Sequence, residues 1–478
     1  MIDTVAIRKR ILELAYQGDL VSQNKTDGNV DLLYSNIRKY VANKELPEVE
    51  KDEIFAKIPD NWKWVRIGNI AKINPKNDFD DEEEASFIPM ALVTEGFQNQ
   101  HSFEVKKWGE IKKGYNHFRE GDIGVAKITP CFQNRKSVIF RDLHNGIGAC
   151  TTELIILRSE STFLLGEYLM YFLKTENFIL KGVESFTGVV GQQRIRKDYL
   201  KMSPIPLPPV EEQRRIVKKI KETFELLDII DMLQQQYLSN LEVLKSKIID
   251  AGIQGKLTEQ LPEDGTAEEL YVSLIEEKKQ IVKDRKGRED KNIKELDDEV
   301  PYELPTNWKW VRFGEIGLFK KGPFGSALTK AMFVPKSDDT VKVYEQQHAI
   351  QKNSELGTYY ITREYFDDKM SGFEVLPGDI IVSCAGTIGE TYILPDEIEQ
   401  GIINQALMRV SLVPSVNKRF FQYYFDANLK KTAQEESNGS TIKNIPPFDV
   451  MKNWYFPLAP LKEQERIVDR IDELLSLI

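Results

Sequence analysis

The chain has 478 residues, more than one compact unit holds, so two to four units are expected. At 41% hydrophobic and 29% charged it can bury real cores, and no apolar run approaches the roughly 18 residues that a membrane span needs. A net charge of -10 argues against a small, wholly basic nucleic-acid binder but leaves local basic surfaces open, and the three separated cysteines Cys131, Cys150 and Cys384 exclude a disulfide framework and a zinc-like pair.

The first stretch, MIDTVAIRKRILELAYQGDL, scatters charges through its apolar positions and lacks the uninterrupted core of a secretory signal, which points to a cytoplasmic chain. Residues 59–203 then mix strand and helix signals. The acidic run DFDDEEE at 78–84 reads as a solvated loop, KSVIF at 136–140 and TELIILRS at 152–159 as strands, and FLLGEYLMYFLKT at 163–175 as a helix. Pro204, Pro206, Pro208 and Pro209 hold the chain extended up to a helix start, where Glu211 and Glu212 suit the first turn. From there Ile216, Ile220, Phe224, Leu227, Ile230, Gln234, Leu238, Leu241, Leu244 and Ile248 recur at three- and four-residue steps until Gly252 and Gly255 stop the pattern. Unbroken, that helix would be about 65–70 Å long, and its apolar stripe needs a partner. Residues 267–283 folding back as a hairpin arm are one such partner. The run 284–300, with ELDDEV at its end, reads as a solvated linker or frayed helix end. Residues 304–455 repeat the mixed signals, with DIIVSC at 379–384 as a strand and KRFFQYYFDANL at 418–429 as a helix. Each mixed segment is expected to be an α+β domain.

The chain contains itself twice. PDNWKWVRIGNI at 59–70 returns as PTNWKWVRFGEI at 305–316, and PLPPVEEQRRIVKKI at 206–220 returns as PLAPLKEQERIVDRI at 457–471. Between them GDIGV at 121–125 answers GDIIV at 378–382, and Thr187-Gly188 answers Asn438-Gly439. The ends continue the pattern: ILELAYQGDL at 11–20 resembles IIDAGIQGKL at 248–257, and Leu33-Tyr34 matches Leu270-Tyr271 in the same register. The start of the chain therefore corresponds to a point inside the central helix, and Ile478 to about Leu227. This is a circularly permuted duplication, whose simplest geometry is a closed pseudo-two-fold body with adjacent termini.

Catalytic signatures are missing. There is no GxxxxGK[ST] loop, and the nearest glycine-rich stretch, KKGPFGSALTK at 320–330, lacks its spacing. His101, His117, His144 and His348 stand singly and read as core or surface residues. NIPPF at 444–448 is interrupted by Ile445 and so departs from an amino-methyltransferase motif. No catalytic residue and no metal site is assigned, and the chain reads as a binding protein.

Basic side chains cluster instead. Lys106, Lys107, Lys112, Lys113, Arg119, Lys127, Arg135, Lys136 and Arg141 are interleaved with Trp108, Tyr115, Gln133 and Asn134, and a second group holds Lys181, Gln192, Gln193, Arg194, Arg196, Lys197 and Lys201. In the second copy Lys320, Lys321, Ser326, Lys330, Gln346 and Gln347 form a sparser set. Such mixtures supply phosphate contacts together with planar amides and guanidinium groups that read base edges. The alternative for each residue is ordinary solvated surface. The Trp62/Trp64 and Trp308/Trp310 pairs read as anchors of each domain to its helix rather than as base-stacking residues.

Trp-Lys-Trp-Val-Arg, then Gly-Asp-Ile, then a glycine loop, then PLPPVEEQRRIV leading into a long helix, all given twice with permuted ends, resembles the DNA-specificity (S) subunit of type I restriction-modification systems. The resemblance covers essentially the whole chain. It implies an α+β architecture of two similar target-recognition domains separated by long antiparallel coiled-coil helices in a circular pseudo-two-fold repeat. On that frame residues 1–58 are an N-terminal spacer region, 59–203 and 304–455 the recognition domains, 204–303 the central spacer and 456–478 a C-terminal spacer helix. Spacer packing falls to Ile216, Ile220, Phe224, Leu227, Leu241, Ile248, Ile467 and Ile471. The resemblance further implies a non-catalytic chain that reads a bipartite, asymmetric site in double-stranded DNA between two modification (methyltransferase) subunits, with restriction subunits joining. S-adenosylmethionine, Mg and ATP would be bound by those partners and not by this chain. The competing expectation is a coiled-coil scaffold that binds protein partners through both domains without touching DNA.

Overall fold

The computed structural model describes residues 1–42, 44–160, 162–189, 191–196, 198–285, 293–297, 299–436 and 445–478. Lys197, the Asn438-Gly439 echo, Asn444 of NIPPF and part of the 284–300 run lie outside the described residues. The chain divides into two compact units, Met1–Gln236 and Tyr237–Ile478.

Each unit is α+β with the same strand order. In the first, one antiparallel sheet runs Lys72–Ile73, Leu154–Arg158, Ile123–Ala126, Ser137–Ile139, and a second runs Glu104–Lys107, Glu84–Ile88, Ile147–Cys150, Asn116–Arg119. Within the second sheet Glu84–Ile88 and Ile147–Cys150 are parallel, Ser86 facing Gly148. The second unit repeats both sheets: Gly317–Lys321, Leu407–Leu412, Ile380–Ser383, Thr391–Ile393, and Tyr360–Thr362, Thr340–Tyr344, Gly401–Ile403, Glu374–Val375, again with one parallel pairing in which Lys342 faces Gly401. An antiparallel two-strand clasp closes each domain, Lys63–Arg66 on Pro204–Leu207 and Lys309–Arg312 on Tyr455–Leu458. The strands Leu154–Arg158 and Ile380–Ser383 are buried along their whole length, which is why their sequences run apolar instead of alternating. The Gly-Asp-Ile echoes sit at the turns entering Ile123–Ala126 and Ile380–Ser383. Gly121 and Gly378 take positive φ there, and the aspartates accept the backbone N–H of Arg119 and Leu376 at 2.9 and 2.7 Å.

The central helix, Val210–Ile253, is 44 residues long. In the first unit its partner is the N-terminal helix Thr4–Gln17. Ile2 N–H meets Gln234 Oε1, Thr4 the Asp231 carboxylate, and Arg8 both Asp231 and Asp228, so residue numbers rise on one helix as they fall on the other and the pair is antiparallel. Ile11, Leu12, Ala15 and Tyr16 share one core with Ile216, Ile220, Phe224 and Leu227. In the second unit the C-terminal helix Leu461–Ser476 takes the corresponding place, with Ile467 and Ile471 fully buried. Gly252 permits that approach, because a Cβ there would lie 2.5 Å from Ile471. Both units stop the inner helix with a left-handed glycine, Gly18 (φ +85) and Gly255 (φ +69), where an added Cβ would strike Pro59 at 2.4 Å and Pro305 at 2.5 Å.

The motif retained at the two helix starts explains itself in the packing. Gln213, buried, receives Leu165 N–H and donates to the Pro208 and Phe163 carbonyls, and Gln464 does the same with Asn417, Ala459 and Ser415. Arg215 pairs with Asp27 and Arg466 with Asp264, each at 2.5 Å. Glu212 accepts from Trp62 Nε1 and Gln23, whereas Glu463 accepts from Asn307 and Gln260. Buried Trp62 ties the first domain to the central helix through Glu212 and buried Trp308 joins the second core, whereas Trp64 and Trp310 pack on Phe55 and Tyr302 of the segments leading into each domain.

Two expectations need correction. Residues 267–283 do form a helix, Ala267–Asp284, but it packs on strand Gly317–Lys321 through Leu274, with Tyr271 donating to Glu315 at 2.6 Å. The central helix takes its partners from the two ends of the chain instead. Leu241 and Ile248 are only half-buried, Ile248 at the edge of the second core, while Leu238 and Leu244 are exposed.

Candidate nucleic-acid interface

The long basic run of the first unit is divided by its folding. Strand Glu84–Ile88 pairs with Glu104–Lys107, and this brings the acidic segment before it onto the lysines. Lys112 Nζ lies 2.5 Å from both Asp81 oxygens, Lys107 2.7 Å from Glu82 and Lys106 2.9 Å from Glu104. Lys106 also sits 4.2 Å from the Phe87 ring centre. The run at 78–84 is therefore a counter-charge to Lys107 and Lys112 rather than a free solvated loop, while Lys106 pairs within its own strand. Lys113 and Arg119 are exposed, and their side chains make no direct ion pair among the described residues.

Sequence-distant residues meet at a second place. The loop after strand Ile123–Ala126 and the segment 187–195 run side by side: Thr129 N–H donates to the Gln193 carbonyl at 2.9 Å, Ile195 N–H to Lys127 at 3.0 Å, and Arg194 and Thr187 exchange two backbone bonds at 2.9 Å. This gathers Lys127 with Gln192, Gln193, Arg194 and Arg196, which belong to two separate clusters in the sequence, while Gln133 and Asn134 follow on the same loop, where Asn134 meets the 94–100 loop. Gln133, Gln192 and Arg196 are exposed, and Lys127 is half-buried with its ammonium unpaired among the described residues. Arg194 lies against Glu153, its Nε 3.0 Å from Oε2 and its other nitrogen 3.0 Å from Oε1, and Asn134 donates to Glu95 at 3.1 Å. Arg135 departs from the expected reading face. Its side chain is 13% exposed, bonded to Glu176 and the Lys174 carbonyl, and stacked over Phe97. Lys136 reaches the Met90 carbonyl at 3.5 Å.

In the second unit Ile445 N–H donates to the Cys384 carbonyl, the counterpart of the Ile195 bond to Lys127, so the same pair of segments adjoins there. Gln346 does not point outward: it donates to the Ala385 and Thr387 carbonyls and holds that loop, while Gln347 donates to Glu345 at 3.0 Å. Lys320 stands over the Phe373 ring at 4.9 Å. Lys321, Ser326 and Lys330 are exposed, with Phe324 between them 88% exposed. Burial pushes the Cys384 thiol up to about 12, which leaves it an unreactive core group.

Sequence reasoning missed two residues. Lys174, fully buried, donates to the Gly96, Gln98 and Arg135 carbonyls at 2.7, 2.8 and 3.1 Å, tying the 94–100 loop to the turn that carries Gln133 and Asn134. Burial lowers its ammonium to about 7, Arg135 adding to the effect. The one signal was a lone lysine ending an apolar helix, which equally describes a solvated helix end. Phe324 lay inside the glycine-rich stretch, where its exposure had no signature. His117 and His348 are buried and bonded to backbone groups through both ring nitrogens, and burial lowers both. Among the described residues no helix is long and apolar enough to cross a membrane.

Comparison with known proteins follows the same two-part division. Residues 59–236 and 305–478 each match the family described as type I restriction modification DNA specificity domain. The chain is 31% identical to the type I restriction enzyme EcoAI specificity subunit of Escherichia coli, covering 98% of this chain and 88% of that protein. It is 30% identical to the EcoEI specificity subunit of the same organism over 98% and 89%. The fold resembles a chain solved in a study of complex assembly and conformational transition of the type I R-M system, with a TM-score of 0.61 at 18% identity over 88% of this chain and 92% of that one. It also resembles the HsdS subunit from Thermoanaerobacter tengcongensis, with a TM-score of 0.52 at 17% identity and the same coverage. The permuted duplication, the two equivalent α+β units and the paired domain matches have one common meaning: the chain belongs to the family of type I restriction-modification DNA-specificity subunits.

Proposed function

We propose that each unit reads one part of a split target in double-stranded DNA, and that the whole chain gives a type I restriction-modification complex its sequence choice. The observation that carries this reading is a repeated frame with unlike loops. The buried bonds of Gln213 and Gln464 and the sheet orders coincide, while the loops differ: Lys127 of the first unit has Cys384 as its counterpart, and the exposed Lys321, Ser326 and Lys330 of the second lie on and after the strand that answers Lys72–Ile73. Phosphates are contacted by the unpaired lysines and arginines, and base edges by the amides and Arg196, so different loops select different half-sites and the target is asymmetric. The chain supplies no chemistry in this scheme. Two modification subunits, binding S-adenosylmethionine and methylating adenine, dock on it, and restriction subunits using ATP and Mg join them in the cytoplasm.

The test is a genome-wide map of adenine methylation in cells expressing the chain with its modification subunits, against cells lacking only this chain. A two-part motif that disappears with the chain supports the reading. An unchanged map from an assembled, active complex refutes it. Exchanging residues 59–203 for those of another specificity chain should alter one half of the motif and leave the other.

A further inference from the structure

The two units differ at one place well away from the reading loops. In the first, the Tyr16 ring is buried against Tyr168 and Phe172, with centroids 5.0 and 5.2 Å away, and its hydroxyl donates to the Tyr168 carbonyl. Beside it Lys9 pairs with Glu176 at 3.1 Å. By the repeat register Tyr16 corresponds to Ile253, Lys9 to Ser246 and Glu176 to Asn428. In the second unit the aromatic ring and the ion pair are thus replaced by an aliphatic side chain and two small neutral ones. All three replacements line a cleft of about 680 Å³.

Its walls are Tyr302, Trp310, Tyr424, Trp454 and Tyr455. Most of their polar tips are used within the protein. Trp310 Nε1 donates to the Tyr302 carbonyl at 3.3 Å, the Tyr302 hydroxyl to the Ile253 carbonyl at 3.1 Å, and the Tyr424 hydroxyl to the Tyr455 carbonyl. What these residues offer the cleft is ring surface. Arg312 is neutralised by Asp297 at 3.0 Å, while the Asp250 carboxylate, also in the lining, has as its one described hydrogen bond a 3.5 Å contact from Ser246. The volume lies in the usual range of small-molecule sites, and beside the rings and Asp250 the lining carries Gln254, Lys294 and Asn453.

We infer that this cleft binds a small planar aromatic molecule carrying an N–H donor, its ring between the aromatic walls and its N–H on the Asp250 carboxylate. It takes the place that Tyr16 fills in the first unit.

Indole is the probe, titrated into the full-length chain by calorimetry, with 1-methylindole as the analogue lacking the donor. The expected result is a dissociation constant below about 1 mM for indole and at least about tenfold weaker binding of 1-methylindole. Ile253→Tyr, which restores the ring of the first unit, should weaken indole at least about tenfold by filling the cleft. Asp250→Ala, which removes the acceptor, should bring the two probes to nearly equal affinity. Failure of the native chain to bind indole at millimolar concentration would overturn the inference, as would unchanged binding by a folded Ile253→Tyr. Should Ile253→Tyr not fold, the two probes on Asp250→Ala decide: retained discrimination overturns the role of Asp250 and with it the site.

Discussion

Gln213→Met is the most direct probe of the duplicated frame. Methionine keeps the length and the burial but makes none of the amide's bonds, so the half-buried Leu165 N–H and the buried Pro208 carbonyl, each at 3.0 Å in the native protein, lose their partner. At about 1–3 kcal/mol for each buried polar group left unpaired, less the modest gain from burying methionine, the first unit should lose about 2–4 kcal/mol. Gln464→Met strips Asn417 N–H at 2.8 Å and the Ala459 and Ser415 carbonyls at 2.8 and 3.1 Å, so its cost should reach or exceed the top of that range. Native-state hydrogen exchange resolves where each cost falls. The first variant should accelerate exchange of slow amides in Met1–Gln236 by roughly 30- to 1000-fold and spare those of Tyr237–Ile478, and the second should do the reverse. An acceleration below about threefold in the unit that carries the change would refute the assignment of the Glu-Gln motif to a buried backbone clamp.

Further outcomes follow from other contacts. Lys174 titrates near 10.5 when unfolded and is lowered to about 7 by burial. The unfolded chain therefore holds more protons between those values, and the first unit gains stability as pH rises from 7, with no change from this group below it. Lys174→Met should remove about 2 kcal/mol of the increase between pH 7 and pH 9 in urea unfolding, and an unaltered pH profile would contradict the burial argument. Lys127→Ala should weaken DNA binding by the assembled complex and reduce the salt slope by about one, whereas Lys112→Ala, whose ammonium is held by Asp81, should leave the slope alone. Equal slopes for both would place the reading face elsewhere. Phe224→Asp puts a carboxylate among Phe97, Tyr171 and Arg8 and should cost the first unit about 3–5 kcal/mol in urea unfolding; a loss under about 1 kcal/mol would show that this helix face is not packed as described.

The duplication, its permuted ends, the central helix and the strands around Ile380 and Leu154 were all legible in the chain, because each is a local pattern. Identity between segments, three- and four-residue apolar spacing, and proline or glycine at helix ends are properties of neighbours in sequence, and they act on the backbone whatever else the chain does. The pairing of charges was not legible. Lys112 meets Asp81, Arg135 meets Glu176 and Arg194 meets Glu153 across 31 to 41 residues, and those meetings follow from strand register and loop packing, which one sequence does not specify. A basic run consequently looked continuous where the fold neutralises one part of it, turns Arg135 inward, and joins Lys127 to Gln192 and Arg196. The cleft bounded by Ser246, Ile253 and Asn428 is tertiary in the same sense. Each replacement is ordinary by itself, and only the packing of the central helix with residues 294–312, 424–428 and 453–455 around one volume turns the loss of a ring and an ion pair into a site.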